Sequence, residues 1–121
     1  MADRTILVVE DDPVARHILQ KILRTAGFEV AIAPDAVSAV SQARARRPDL
    51  IILDLGLPAG GGFTVMDRLR ALPQLSITPI LVVSGQDREN EQKAISAGAA
   101  AYLQKPATPE QILAEVRRIL D

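Results

Sequence analysis

The chain has 121 residues, of which 48% are hydrophobic, and its 14 lysines and arginines nearly balance 15 aspartates and glutamates. This length and composition predict one domain over residues 1–121 with a core of its own. The net charge of −1 shows no excess of basic residues that would favour direct binding to nucleic acid or to an anionic membrane. Cysteine is absent, which excludes disulfides and zinc–thiolate sites. No apolar run matches a signal peptide or a membrane span, so we expect a cytoplasmic protein.

The first predicted strand, residues 6–9, runs directly into an acidic triplet that ends with Asp12. Pro13 suits the first position of a helix and Gly27 the position just after its end. Asp12 is placed to cap this helix. Its apolar residues recur at helical spacing and predict one stripe that faces the core. The stripe consists of Val14, Ala15, Ile18, Leu19, Ile22, Leu23 and Ala26.

Four further strands and four further helices alternate along the rest of the chain. Apolar runs predict strands over residues 28–32, 50–53, 80–83 and 100–103. The second and third helices end before prolines, at positions 48 and 73. The residues that mark the second helix are Ala36, Val37, Ala39, Val40 and Ala43. Those that mark the third are Phe63, Met66, Leu69 and Leu72.

The last two helices differ in the strength of their signals. The fourth has a thin apolar stripe around Ile95 and stops at Gly98, so we expect it to contact the core most loosely. The fifth opens with Thr108 as N-cap, Pro109 in its first turn and Gln111 in a capping box. Its inward residues are predicted to be Ile112, Leu113, Val116, Ile119 and Leu120.

Strands that alternate with helices predict a parallel sheet with right-handed crossovers. Five units are too few for a closed eight-stranded barrel. The predicted fold is therefore α/β: a doubly wound five-stranded parallel sheet in a (βα)₅ three-layer sandwich. Ligands of such sheets bind beyond the carboxyl ends of the strands.

Polar residues stand at these strand ends, namely Glu10, Asp11, Asp54, Ser84 and Lys105. Unit charges ~4 Å apart interact by about 4 kcal/mol at an effective dielectric constant of 20, so converging carboxylates require a raised pKa or a cation. Oxygen ligands favour a hard cation such as Mg²⁺, which also binds phosphate oxygens. A lysine and a serine suit phosphoryl oxygens too. Together these residues predict a phosphoryl site.

The residue that accepts the phosphoryl group is predicted to be Asp54. The chain has no GxxxxGK[ST] motif, and its glycine triplet at residues 60–62 lacks the GxGxxG spacing of a nucleotide-binding loop. A carboxylate can itself act as the nucleophile and form an acyl phosphate. Asp54 stands alone at the end of the third strand, which makes it the best candidate.

With these residues in this order, the sequence resembles a known family, the receiver domain of bacterial two-component response regulators, a CheY-like domain with a flavodoxin-like fold. The resemblance covers essentially the whole chain, and the ordered set of motifs is highly specific. The matching segments are ILVVED at 6–11, PDLIILDL at 48–55, LP at 57–58, G at 62, VVS at 82–84, GA at 98–99, Y at 102 and KP at 105–106.

The resemblance implies a role for each site residue. Asp54 would receive a phosphoryl group from a histidine kinase or a phosphotransfer protein. Asp11 would ligate Mg²⁺ together with Asp54 and the Gly56 carbonyl, while Glu10 would act mainly through water. Lys105 would pair with the phosphoryl oxygens.

The resemblance also implies an output mechanism. Ser84 would turn toward the phosphoryl group and Tyr102 would swing inward behind it. The surface of the fourth helix, fifth strand and fifth helix would then change and engage an output domain or protein, or a second copy as a phosphorylation-dependent dimer. The family further implies a cis peptide before Pro106.

A few positions depart from the family pattern. Gly85 stands where Ala is common, and Gly61 stands where many members have Asp. The glycine triplet at 60–62 predicts an unusually mobile loop. Gly56 and Gln86 match positions that tune the lifetime of the aspartyl phosphate.

Two other functions stay open on the sequence alone. A Mg²⁺-dependent phosphohydrolase with an aspartyl nucleophile would want an acid where Gly56 stands, and a cap domain. A receiver-like module could instead bind a partner irrespective of phosphorylation. His17 lies on the polar side of its helix, and we assign it no role.

Overall fold

The fold alternates five strands with five helices in a computed structural model that describes residues 3–57, 61–85 and 88–121. The strands are β1 (Thr5–Val9), β2 (Glu29–Ala33), β3 (Leu50–Leu53), β4 (Ile80–Ser84) and β5 (Ala101–Gln104). The helices are α1 (Pro13–Thr25), α2 (Ala36–Arg46), α3 (Gly61–Ala71), α4 (Arg88–Ser96) and α5 (Pro109–Leu120). Each element lies within one or two residues of a predicted one, apart from the beginning of α4, which the sequence did not define.

The sheet is parallel throughout, with strand order β2-β1-β3-β4-β5. The predicted doubly wound α/β fold is therefore confirmed. Val9, the last residue of β1, pairs with Leu53, the last residue of β3. The residues that follow, Glu10 and Asp54, are consequently neighbours where the strand order reverses, which is the ligand-binding position of such sheets.

The core has two layers, one on each face of the sheet. On one face, side chains of the sheet pack against α2, α3 and α4, with Met66 and Leu69 fully buried. On the other face they pack against α1 and α5, where Leu23 and Val116 are fully buried. The continuous apolar strands follow from this arrangement, since both sides of a central strand are covered.

Several apolar residues of α1 and α2 are exposed, including two of the α1 stripe that was predicted to face the core. On α1, Val14 is 66% and Ile18 53% exposed, whereas Leu19 and Leu23 are buried. On α2, Val37 is 73% exposed, and Ala39 and Ala43 form the buried face. The apolar stripe of each helix is wider than the face that the sheet covers. The stripe prediction was therefore wrong for Val14 and Ile18 of α1, whereas for α2 the sequence predicted a helix without assigning its buried face.

The described part of α4 confirms the expected loose contact with the core. Among residues 90–96, Ala94 alone is buried, and Ile95 is about half exposed. The remaining residues of this stretch are polar and lie outward or at the margin. One alanine gives α4 little apolar area against the sheet, so it is the helix most free to shift.

Three helices begin with the side-chain caps that satisfy their first N–H groups. Asp12 accepts a hydrogen bond from the backbone N–H of Val14 at 3.2 Å, as predicted. Thr108 and Gln111 form the predicted capping box on α5. A third cap, Asp35 on α2, was not predicted from the sequence.

Gly61 and Gly62 lie in the first turn of α3, and both are buried. The predicted mobile loop is therefore wrong for these two residues, while Gly60 lies outside the described residues. A Cβ atom on Gly62 would lie 2.5 Å from the Cα of Leu55 and 3.0 Å from the carbonyl oxygen of Asp54. The beginning of α3 is thus pressed against the backbone that carries the candidate phosphoacceptor.

Replacing Gly62 by alanine is expected to destabilise the domain by about 2 kcal/mol, because the close contact is with backbone that cannot rotate away. Gly85→Ala is the matched control, since a Cβ there meets nothing within 4 Å. We expect the control to change stability by no more than ~1 kcal/mol. Urea unfolding of both variants measures the difference, and equal midpoints would contradict this account.

Candidate functional site

The site lies at the carboxyl edge of the sheet, where three strands bring charged residues together. Glu10 follows β1, Asp54 follows β3 and Lys105 follows β5. The Lys105 ammonium donates to Glu10 Oε1 at 2.7 Å and to Asp54 Oδ2 at 3.0 Å. The convergence predicted from the sequence is therefore present for these three residues.

The three side chains differ in their access to water. Glu10 is 2% exposed, Asp54 13% and Lys105 34%. The other Asp54 oxygen, Oδ1, accepts the backbone N–H of Gly56 at 2.8 Å. Asp54 is thus held at both oxygens and remains partly exposed.

Burial and charge act on the ionisation of this cluster in opposite directions. Burial raises the pKa of Glu10, and the neighbouring Asp54 raises it further against the pull of Lys105. Burial also opposes ionisation of Asp54, but the bonds from the Gly56 N–H and from Lys105 outweigh it and lower its pKa. Burial opposes the charge of Lys105 too, yet its bonds to the two carboxylates raise its pKa. Of the two carboxylates, Asp54 is therefore the one whose charged form the site favours.

A third carboxylate completes an acidic cluster. Oxygens of Glu10, Asp11 and Asp54 all lie within 4.8 Å of one another. One ammonium group cannot neutralise three carboxylates, and oxygen donors at this spacing fit a hard divalent cation such as Mg²⁺. Asp12 has a different role from the three clustered acids, because its carboxylate caps α1.

Two backbone-directed contacts in the site were missed by sequence reasoning. The Arg16 guanidinium donates to the carbonyl oxygens of Glu10 and Asp11, at 3.0 and 3.5 Å, and so holds the turn that presents both carboxylates. The Gly56 N–H orients Asp54. Every residue has the same backbone donors and acceptors, so a sequence does not indicate which of them a side chain will contact. Only the position of Arg16, one turn into α1, suggested that its side chain could reach the residues that follow β1.

The remaining predicted residues lie near the site without forming part of the cluster. Ser84 ends β4 and is fully buried. Tyr102 lies on β5, pairs in register with Val82, and packs against the core layer of α2, α3 and α4. The Lys105–Pro106 peptide is cis, as expected. Gln86 lies outside the described residues.

An apolar groove of about 520 Å³ borders the site between α1 and the beginning of α5. Glu10 and Lys105 form its end at the acidic cluster. The rest of its lining is almost entirely apolar and includes Ala15, Ile18, Leu19, Ile22, Pro106 and Ile112. The exposed Ile18 thus belongs to a surface continuous with the site.

Residues 6–117 match the family model described as response regulator receiver domain. The chain belongs to this family. A receiver domain is a module of two-component signalling and not a catalytic enzyme, so the phosphohydrolase alternative is set aside.

Relatives and solved structures of this receiver domain agree on the family. It is 38% identical over 117 residues to the DNA-binding dual master transcriptional regulator RpaA of Synechocystis, covering 95% of this chain and 48% of RpaA. It is 33% identical to chemotaxis protein CheY4 of Vibrio cholerae, with a TM-score of 0.92, and covers 98% of this chain and 100% of that one.

A further similar structure contains a metal ion and is therefore relevant to the acidic cluster. The receiver domain of the sensor histidine kinase PA1611 of Pseudomonas aeruginosa is 28% identical, with a TM-score of 0.90 and 98% of each chain covered. That structure holds a magnesium ion coordinated in its active site cleft. The cluster of Glu10, Asp11 and Asp54 is consistent with a Mg²⁺ site of this kind.

The chain spans about half the length of RpaA and of most of the other curated relatives it matches. Those proteins therefore carry a further part beyond the region shared with this chain. Within residues 3–57, 61–85 and 88–121, no helix is both long and apolar enough to cross a bilayer.

Proposed function

We propose that this receiver domain is a phosphorylation-activated switch in which Asp54 accepts a phosphoryl group from a histidine kinase or a phosphotransfer protein. One observation carries the proposal. Asp54 is an ionised, partly exposed carboxylate that is held by the Gly56 N–H and by Lys105, and two further acids lie beside it. This arrangement suits a nucleophile that must meet an anionic donor.

The proposed reaction transfers the phosphoryl group between two nucleophiles. A carboxylate oxygen of Asp54 attacks the phosphorus of a phosphohistidine, a P–O bond forms and the P–N bond to the imidazole breaks. The imidazole nitrogen leaves with the electron pair and takes up a proton. Lys105 exchanges its contact with Asp54 for one with the incoming phosphoryl oxygens, because its ammonium already lies against the attacking carboxylate.

The acidic cluster would hold Mg²⁺ through Asp11, Asp54 and the Gly56 carbonyl, with Glu10 acting through water. When bound, the ion supplies positive charge that neutralises the carboxylates and the phosphoryl oxygens. Arg16 holds the backbone of the two acids that follow β1, so the ligands are positioned before the ion arrives. A cation held there would offset the electrostatic repulsion among the three carboxylates.

The output step follows the position of Ser84 and Tyr102 in the sheet. Ser84 ends the strand next to β5, which carries Tyr102. A Ser84 hydroxyl drawn to the phosphoryl group would let Tyr102 move inward and alter the surface of α4, β5 and α5. The weak anchoring of α4 through Ala94 makes this the part of the domain that shifts most readily.

The proposal is tested by incubating the purified domain with Mg²⁺ and a small acyl-phosphate donor. We expect one acid-stable, base-labile phosphoryl group per chain, detected by mass spectrometry. No gain of mass with excess donor and Mg²⁺ would contradict the proposal. Partner affinity with and without a phosphoryl mimic then separates a switch from a module that ignores phosphorylation.

We further propose that the phosphodonor protein docks in the apolar groove between α1 and α5, because the groove leads directly to Lys105. Ile18→Asp is expected to slow transfer from a protein donor by about tenfold or more, while leaving labelling by a small acyl phosphate unchanged. Ile77→Asp is the control, since Ile77 is 90% exposed and outside the groove. Equal slowing with both donors, or by the control, would contradict docking at this groove.

A further inference from the structure

A second groove lies on the other side of the sheet, between α2 and α3. Its described lining consists of Val37, Val40, Ser41, Arg44, Ala45 and Arg68. We call it the α2–α3 groove. The five α2 residues follow the spacing i, i+3, i+4, i+7 and i+8, which places them along one outward stripe of the helix.

One half of the α2–α3 groove is apolar. Val37 is 73% exposed, and Val40 beside it is partly exposed. Neither the core nor helix propensity accounts for an exposed valine, because α2 uses alanines on its buried face and valine is a poorer helix former than alanine. A single exposed apolar residue is ordinary, but here two valines share a groove with charged groups.

The other half of the α2–α3 groove is basic. Arg44 from α2 and Arg68 from α3 line it, and Arg46 and Arg47 follow on the exposed end of α2. Within the described residues, none of these four guanidinium groups forms an ion pair or a hydrogen bond. Arginines do favour helix carboxyl ends. That preference explains their presence but not their place beside the valines.

The nearby acids among the described residues form no ion pair with these arginines. Asp35 caps the beginning of α2, and Asp49 accepts the backbone N–H of Thr5 at 2.8 Å. Asp67 precedes Arg68 directly, and adjacent residues on a helix do not face each other. The basic end of the groove is thus left for a charge from another molecule.

We propose that the α2–α3 groove binds an acidic amphipathic helix of a partner protein. Apolar side chains of that helix would lie on Val37 and Val40, and its carboxylates would pair with Arg44 and Arg68. The stripe spans about two helical turns, or roughly 10 Å, which matches a short helix laid in a groove. A nucleic acid fits less well, since it offers no apolar side chains to the valines and the chain has a net charge of −1.

The proposal concerns a surface separate from the phosphoacceptor site, and it does not depend on the proposed function. None of the residues that line the groove belongs to the cluster of Glu10, Asp11, Asp54 and Lys105. Asp54→Asn is therefore expected to bind the same helix with unchanged affinity. This variant keeps the two proposals distinguishable.

The experiment uses the full chain and a display library of three-turn helices whose outer positions vary among leucine, alanine, glutamine, glutamate and lysine. Helices with an apolar stripe and clustered glutamates are expected to be enriched. A selected helix is then synthesised, and its affinity is measured by fluorescence anisotropy. Arg44→Gln should weaken binding about fivefold, the size expected of one partly exposed ion pair. Val37→Ser should weaken it as well.

Arg46→Gln is the matched control, because Arg46 is exposed on the same helix but does not line the groove. We expect it to change affinity by less than about twofold, since an exposed charge off the groove is screened by salt. Equal effects of the Arg44 and Arg46 variants, or selected helices without an excess of glutamate, would overturn the proposal.

Two other outcomes would replace the proposed partner. Tight binding of a labelled DNA duplex that Arg44→Gln abolishes would make the partner a nucleic acid. Association of the chain with itself in sedimentation, again lost in Arg44→Gln, would make the occupant a second copy. Urea unfolding of each variant confirms that the substitutions leave the fold intact.

Discussion

The Asp54→Asn variant is expected to acquire no base-labile phosphoryl group from a small acyl phosphate in the presence of Mg²⁺. Asparagine keeps the shape of the side chain and an oxygen that can accept the Gly56 N–H. It lacks the anionic oxygen that attacks phosphorus, and it removes one of the two carboxylates that hold Lys105. The loss should therefore arise from chemistry and not from unfolding.

Mass spectrometry over a time course measures this prediction, with labelling reduced by at least ~100-fold because an uncharged amide is a far weaker nucleophile. Asp67→Asn is the control, since Asp67 is an exposed acid on α3 outside the cluster. Labelling of the Asp54 variant at the wild-type rate would refute the assignment of the phosphoacceptor. Labelling lost in both variants would point to a defect unrelated to Asp54.

The Asp11→Asn variant is expected to bind Mg²⁺ at least about tenfold more weakly than the wild type, because even residues that only support metal ligands contribute ~10–100-fold to affinity. Asp11 supplies one of three carboxylates within 4.8 Å of one another, and it is the exposed member through which an ion would enter. Amide chemical shifts of the strand-end residues, followed during a Mg²⁺ titration, measure the affinity.

Asp12→Asn tests whether the neighbouring acid has a different task. Its carboxylate accepts the N–H of Val14 as the cap of α1, and asparagine caps a helix about as well as aspartate. We expect Mg²⁺ affinity within about threefold of the wild type, the residual effect being that of a charge that salt screens. The reverse pattern, with Asp12→Asn the weaker binder, would overturn the division between ligand and cap.

Most of the fold could be predicted because its signals are local. Unbroken apolar runs at residues 50–53 and 80–83 indicated strands covered on both faces, and both are buried. Thr108 and Gln111 cap α5 through bonds within one turn, which sequence spacing captures. The alternation of such elements then left a parallel doubly wound sheet as the available architecture.

The convergence of the charged residues at the strand ends could be predicted for a related reason. Parallel strands deliver their carboxyl ends to one edge, so the position of Glu10, Asp54 and Lys105 in the chain already implied that they meet. The placement of Glu10 directly beside Asp54 depended on the register of β1 with β3, in which Val9 pairs with Leu53. Sequence spacing contains no such register.

What the sequence determined by itself was therefore the order of elements, the caps of α1 and α5 and the identity of the acids at the strand ends, because each depends on neighbours in the chain. Only the tertiary structure decided which side of each apolar stripe is covered, so that Ile18 and Val37 line grooves instead of the core. It also decided the close approach of Gly62 to the backbone of Leu55 and the hydrogen bond from the Arg16 guanidinium to the Glu10 carbonyl oxygen. These features depend on how helices of given width pack against a sheet, and on backbone groups that every residue shares.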